Sequence, residues 1–205
     1  MYAVWIDDTA IEGKKFTSGA GWTGSTTSIA TGATGLTKNM SAVVDPTNNY
    51  IHLTYTDSSN YMKYDQYDGT DWDYSADTLD GSATCEYATI SVDTATNDLY
   101  ALWIRSNHIY YKKAAYSAGP TWTWDGSATD WKTTTSGAYV TSNYSGNGMI
   151  FAEWTEGSGS PYSVNWDYIL IPERLWLFFG LTPLLITYLR KRRRKIISKN
   201  AIISG

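Results

Sequence analysis

The chain has 205 residues, with 16 basic and 20 acidic side chains and a formal charge of −4. With 18% of residues charged and 15% aromatic, it is neither a disordered tail nor a coiled coil, and it lacks the long Ala/Leu/Glu/Lys periodicity of a helical bundle. Residues 1–168 hold eight basic against 19 acidic residues, which makes nucleic acid an unsuitable partner for that part, whereas residues 169–205 hold eight basic residues against Glu173.

Met1 runs directly into Tyr2-Ala3-Val4-Trp5, a short apolar segment that recurs as His52-Leu53-Thr54-Tyr55, Tyr100-Ala101-Leu102-Trp103 and Phe151-Ala152-Glu153-Trp154, at steps of 50, 48 and 51 residues. A Gly-x-x-Trp marker repeats in phase at Gly19/Trp22, Gly69/Trp72 and Gly119/Trp122, both steps being 50. A period of about fifty residues marks propeller blades.

Two units show the whole pattern. In the first, strands are expected over residues 42–45, 50–57 and 61–67; in the second, over 90–93, 99–105 and 108–114, with Val43 and Val92 at equivalent positions. The runs are rich in Tyr, Trp, Val and Ile, and Asn/Asp/Gly clusters supply the turns between them. Sheets this small bury their faces only by stacking on neighbours, so residues 1–168 are expected to form all-β propeller blades, four-stranded, antiparallel and almost without helix. Trp5, Tyr55, Trp103 and Trp154 are assigned to blade-to-blade packing. No inner strand or signal-peptide pattern precedes Tyr2, and about three and a half units lie between Tyr2 and Trp166. The expectation is a fragment from the C-terminal part of a larger propeller.

Strand pairs such as Asn97-Asp98-Leu99-Tyr100-Ala101-Leu102-Trp103 and Ile109-Tyr110-Tyr111-Lys112-Lys113, followed by Gly119-x-Thr121-Trp122, resemble the sialidase-type propellers that carry BNR or Asp-box repeats. In that family the box reads Ser/Thr-x-Asp-x-Gly-x-Thr-Trp and lies in a turn away from the active site. Here Ser117, Tyr67 and Thr17 stand where the Asp would be, so the boxes are degenerate. The resemblance implies a cluster of three arginines that grips a substrate carboxylate, but residues 1–168 contain only Arg105, which reads as a solvated strand-end cation. The family's Tyr–Glu nucleophile pair cannot be assigned among Glu86, Glu153 and Glu156, so no catalytic residue is identified.

Cys85 has no partner for a disulfide, and His52 and His108 have no Cys, His or nucleophile motif nearby; both read as strand residues without chemistry. No cofactor is called for. Calcium in the turns at residues 45–48 or 93–98 is a further reading, although these turns lack the oxygen-ligand ladder of a calcium loop.

The last segment, residues 169–205, has a different character. Residues 175–189 are free of charge, and Arg190, Lys191, Arg192, Arg193, Arg194 and Lys195 follow without a break. Apolar side chains all round a helix exclude a one-faced soluble helix, and Arg174 and Arg190 would snorkel to lengthen a short span. The segment is expected to be a single transmembrane helix in contact with membrane lipid. The cations place the C-terminus in the cytoplasm and the propeller outside the cytoplasmic membrane. Ile171-Pro172-Glu173 before such a helix and basic end resembles the C-terminal sorting signals of PEP-CTERM and related systems. That resemblance implies an exosortase- or archaeosortase-like processing enzyme as partner and release or re-anchoring at the cell surface; a plain tail anchor is the alternative.

Two function classes fit. One is a surface-displayed, membrane-anchored module for binding or adhesion to glycans or surface proteins, without a catalytic site in this chain. The other is the C-terminal part of a surface glycoside hydrolase or lyase whose catalytic residues lie in upstream blades.

Overall fold

Alternating aromatic and β-branched residues between Asn/Asp turns fold each repeat into a small antiparallel meander. The computed structural model describes residues 1–8, 10–31, 40–73, 76–157 and 162–171, and Met1–Ile169 form one compact unit. The expected helix at 175–189, the six cations and Pro172 and Glu173 of the sorting motif lie outside the described residues; Ile171 is the last one described. Among the described residues no helix is long and apolar enough to cross a membrane.

The first sheet is β1 (Tyr2–Asp7), β2 (Ala10–Thr17) and β3 (Gly21–Thr31), in that order. The second is β4 (Met40–Val44), β5 (Ile51–Thr56), β6 (Met62–Tyr67) and β7 (Asp77–Asp80). The third runs through β8 (Cys85–Asp93), β9 (Leu99–Arg105) and β10 (His108–Ala115), with both β11 (Thr123–Trp124) and β12 (Thr129–Thr133) on the far side of β10. The fourth is β13 (Gly137–Ser142), β15 (Met149–Glu156) and β16 (Ser163–Leu170); β14 (Ser145–Gly146) leaves it to pair in parallel with β8.

Two expectations need correction. Only the second sheet has four strands in simple succession, because the outer strand of the third is broken into β11 and β12 and β14 crosses between sheets. Val43 and Val92 are also not equivalent: Val43 pairs with His52, whereas Val92 pairs with Leu99, one rung nearer the turn. The true anchors are Asp45 and Asp93. Each accepts main-chain N–H bonds in its own turn, Asp45 from Thr47 (2.8 Å) and Asn48 (3.2 Å), Asp93 from Ala95 (3.1 Å). Four residues later Asn49 (φ 60) and Asn97 (φ 62) take the left-handed conformation that reverses the chain, which Asn tolerates.

The sheets stack. Ile11, Ile29, Leu53, Tyr55, Tyr67 and Trp72 make the core between the first and second, and Val43, Met62, Ile90, Leu99, Trp103 and Trp122 are among those filling the core between the second and third. Each such side chain, fully withdrawn from water, contributes about 1.5–3 kcal/mol. Tyr55, Trp103 and Trp154 are buried as expected of packing residues, while Trp5, on the face of the first sheet turned away from the second, stays half-buried. The third and fourth sheets are joined by polar bonds: Ser91 Oγ donates to Ser142 Oγ (2.7 Å), Thr94 Oγ1 to the Gly146 carbonyl (2.6 Å), and the Gly148 N–H to Asp93 Oδ1 (2.7 Å).

Candidate functional site

Cross-strand register identifies which positions repeat. Tyr2 pairs with Lys15, His52 with Gln66 and Tyr100 with Lys113, so Lys15, Gln66 and Lys113 occupy one position of the repeat. The Gly-x-x-Trp marker equates Thr23 with Asp73, Thr70 with Pro120 and Asp71 with Thr121.

These positions converge at the junctions between sheets. Between the first and second sheets a cleft of about 370 Å³ is lined by Tyr2, Lys15, Thr23, Tyr67, Asp71 and Trp72, among others. Between the second and third, a cleft of about 300 Å³ is lined by Gln66, Asp68, Asp71, Trp72, Asp73 and Thr121, with Pro120 completing the wall. Lys15 and Gln66, Thr23 and Asp73, and Asp71 and Thr121 are counterparts. The same cleft is therefore built twice, with a changed set of charges.

Local structure positions these groups. In the first cleft Tyr67 Oη accepts a hydrogen bond from Lys15 Nζ (3.3 Å) and donates to the Gly69 carbonyl (2.8 Å). Gly69, at φ +97, opens the Gly-x-x-Trp loop with a backbone turn that a Cβ would strain. Asp68 Oδ1 accepts the N–H groups of Thr70 (2.8 Å) and Asp71 (3.0 Å), bonds that hold its carboxyl below the usual carboxylate range. Trp72 lines both clefts, and its indole N–H is buried without a partner.

A further cleft of about 430 Å³ between the first and second sheets is lined by Tyr55, Asp57, Lys63 and Asp65, with Ser28 and Thr31. Burial pushes the Asp65 carboxyl up to about 6 against the N–H bond from Gln66, and its Oδ2 has no partner. Burial likewise pushes Tyr55 well up, so its hydroxyl keeps its proton.

Several residues singled out in the sequence do other work. His52 is fully buried between the second and third sheets, with Nδ1 2.8 Å from Tyr64 Oη, and His108 Nδ1 lies 2.9 Å from Asp130. Arg105 is not a solvated cation: its guanidinium donates to Asp80 Oδ2 (2.6 Å) and Ser82 Oγ (3.0 Å) and lies 3.8 Å from the Tyr110 ring centre. Cys85 is buried, and burial pushes its thiol up to about 12. In the two turns considered for calcium, N–H groups bond Asp45 and Asp93, and among the described residues no three Asp, Glu, His or Cys side chains converge on a point. The repeat tryptophans Trp72 and Trp122 are packed inside the junctions, so their faces are not platforms for a flat ligand.

Sequence reasoning missed the clefts because Lys15 and Asp71 lie far apart in the chain. The polar residue paired with each recurring Tyr or His was the signal that pointed to them. The described residues are all-β, built of stacked, blade-like sheets. No family model and no curated protein matches it. Among solved structures it is similar to a fungal lectin, that of Aleuria aurantia, described as a six-bladed β-propeller with a novel fucose recognition mode: 16% identity, TM-score 0.48, covering 79% of this chain and 53% of that one. A mutant of the same lectin in complex with α-methyl-L-fucoside gives 15% identity and a TM-score of 0.47, covering 83% of this chain and 56% of that one. The chain spans about half the length of these lectin chains.

Proposed function

We propose that the chain is a glycan-binding module whose sheets are blades of a β-propeller and whose sugar sites are the clefts between successive blades. The repetition of one cleft at two junctions carries this reading, since packing alone does not require hydroxyl, amide, ammonium and carboxylate groups to recur at matched positions. A saccharide presents many hydroxyl groups and little apolar surface. Lys15, Thr23 and Asp71 in one cleft, and Gln66, Asp73 and Thr121 in the other, offer donors and acceptors to such a ligand. Commitment of Arg105 to Asp80 favours neutral glycans over carboxylated ones, because the only arginine in residues 1–168 is occupied.

Residues 172–205 complete the proposal as a membrane anchor. The 175–189 segment enters the cytoplasmic membrane with the basic run inside, and the motif at Ile171, Pro172 and Glu173 serves as a processing site for an exosortase- or archaeosortase-like enzyme. The deciding experiment is a glycan array with purified full-length chain, followed by calorimetry on any hit. Saturable binding weakened by both Lys15→Ala and Gln66→Ala is expected; no binding to any glycan, or binding untouched by either substitution, overturns the reading.

A further inference from the structure

The cleft of about 430 Å³ between the first and second sheets shares no lining residue with the two clefts assigned to sugars. One of its groups is left without work in the fold. Asp65 is 2% exposed; its Oδ1 accepts the Gln66 N–H (2.7 Å), and its Oδ2 has no partner among the described residues. Folded proteins satisfy nearly all buried polar atoms, and a buried carboxylate without a cation is costly. The other charged groups of the cleft are committed. Asp57 Oδ1 accepts the N–H groups of Ser59 (2.9 Å) and Tyr61 (2.9 Å), and Lys63 Nζ donates to Thr78 Oγ1 (2.6 Å) while standing 3.8 Å from Asp57 Oδ2.

Strand alternation turns Asp65 toward this space. Along β6, Met62 and Tyr64 join the core shared with the third sheet, whereas Tyr67 joins the core shared with the first; Lys63 and Asp65 are in phase with Tyr67. The facing wall is the end of β3, where Ser28, Ile29, Ala30 and Thr31 bring hydroxyl and alkyl groups and no charge. Asp73 and Asp77 add negative potential at Asp65 from within the second sheet. Among the described residues no three carboxylate, imidazole or thiol groups converge on a point, so the cleft is not built for a divalent metal ion.

We propose that this cleft binds a small alkylammonium ion, with the ammonium group on Asp65 Oδ2 and the alkyl part against Ile29, Ala30 and the Tyr55 ring. A neutral hydroxyl group would fill the vacant lone pair and leave the buried charge uncompensated, whereas an ammonium group does both. Burial, with Asp73 and Asp77, pushes the Asp65 carboxyl up to about 6 against the N–H bond from Gln66. Above that pH the carboxylate is ionised and receptive; below it, the proton takes the place of the cation. The one cation lining the cleft, Lys63, is held by Asp57 and Thr78 and does not titrate in this range. The site is separate from the proposed sugar clefts and stands whether or not these bind sugars.

The test titrates n-butylammonium chloride into the full-length chain in a non-ionic detergent, at constant ionic strength made up with sodium chloride. Binding is read by NMR shifts and folding by circular dichroism. The expected result is saturable binding at pH 7 that weakens about tenfold at pH 5, as the ionised fraction of Asp65 falls. n-Butanol, of the same shape without the charge, should bind at least about tenfold more weakly. Asp65→Asn, which keeps the size of the side chain, should weaken n-butylammonium by about tenfold or more and remove the pH dependence. No saturable binding, equal binding of n-butanol, an affinity unchanged between pH 7 and pH 5, or a folded Asp65→Asn variant that binds as the parent does would each overturn the proposal. The pH series and the n-butanol comparison use the unsubstituted chain, so they decide the matter even where the variant does not fold.

Discussion

Trp122 meets His52 edge to face, with ring centres 4.9 Å apart and planes at 72°. The contact lies inside the junction of the second and third sheets, and Tyr2 and Trp72 repeat it one junction earlier at 5.7 Å and 75°. Edge-to-face pairs add about 0.5–1.5 kcal/mol beyond the area they bury. The pair is thus both a spacer and an adhesive between sheets.

Residues at one repeat position should then differ in energetic weight according to their neighbours. Trp72→Ala and Trp122→Ala should each cost about 3–5 kcal/mol, the usual penalty for emptying a large buried site. Trp22→Ala, at an exposed position, should change monomer stability by no more than about 0.5 kcal/mol. Urea midpoints of the three variants, measured where the chain is monomeric, give the comparison directly.

Burial lowers the His52 pKa to about 3 in the folded protein, against about 6.5 when unfolded. Tyr64 Oη donates to Gln66 Oε1 (3.0 Å), so Nδ1 of the ring must donate to Tyr64, which leaves Nε2 as a bare, buried lone pair. Between pH 6.5 and 3 the unfolded chain binds the extra proton. His52 therefore costs no stability above about 6.5 and drains it as pH falls, at up to about 1.4 kcal/mol per pH unit. His52→Gln should flatten the fall in urea midpoint between pH 7 and pH 4.5.

Asp65 acts in the opposite sense. Its folded pKa of about 6 lies above the unfolded value, so between these values the folded state holds the proton and stability declines as pH rises. Above pH 6 the buried carboxylate is a standing cost, relieved by acid. Asp65→Asn should raise the urea midpoint at pH 7.5, on the order of 1–3 kcal/mol, and do little at pH 4. Equal effects at both pH values would show that shape, not charge, governs the site.

The inner three strands of the second and third sheets were legible because their signals are local: apolar alternation, a pairing aromatic and an Asp that ties the next turn. The outer strands were not. Asp77–Asp80 and Thr129–Thr133 are polar edge segments with too little alternation to stand out, and their pairing with β6 and β10 is set by tertiary position. The exchange of β14 depends on main-chain bonds such as Thr94 N–H to the Gly146 carbonyl, which no side-chain pattern encodes. Arg105 was misread for a related reason: its acceptor, Asp80, is the end residue of one of those unseen edge strands.

That ion pair makes its own prediction. Burial pushes the Asp80 carboxyl up, but hydrogen bonds from the Ser82 N–H and hydroxyl, the Arg105 charge and the Trp103 indole N–H outweigh it and hold the carboxyl below its ordinary range. Arg105→Ala leaves a buried carboxylate short of its cation and should cost about 3–5 kcal/mol, whereas pairing it with Asp80→Asn should recover part of the loss. A double-mutant cycle on urea midpoints measures the coupling. The pair's contribution is present above the unfolded carboxylate pKa and lost as pH falls through the folded one.

The clefts make the sharpest functional prediction, because their two copies differ in charge. Lys15 faces the first cleft where Gln66 faces the second, and Thr23 faces the first where Asp73 faces the second, while Asp71 lines both. A neutral saccharide that uses both sites should titrate with two affinities. Lys15→Ala should abolish one class and leave the other within about twofold, and Gln66→Ala should do the reverse. Each lost hydrogen bond is worth about 0.5–1.5 kcal/mol, rising to about 1.5–3 for the charged donor, so the Lys15 variant should suffer the larger drop. Gln66 also accepts from Tyr64, so the Gln66 result needs a matching stability measurement to separate ligand loss from loosening of the His52 network. If both variants weaken both classes equally, the two clefts are not independent sites and the repeat argument for them fails.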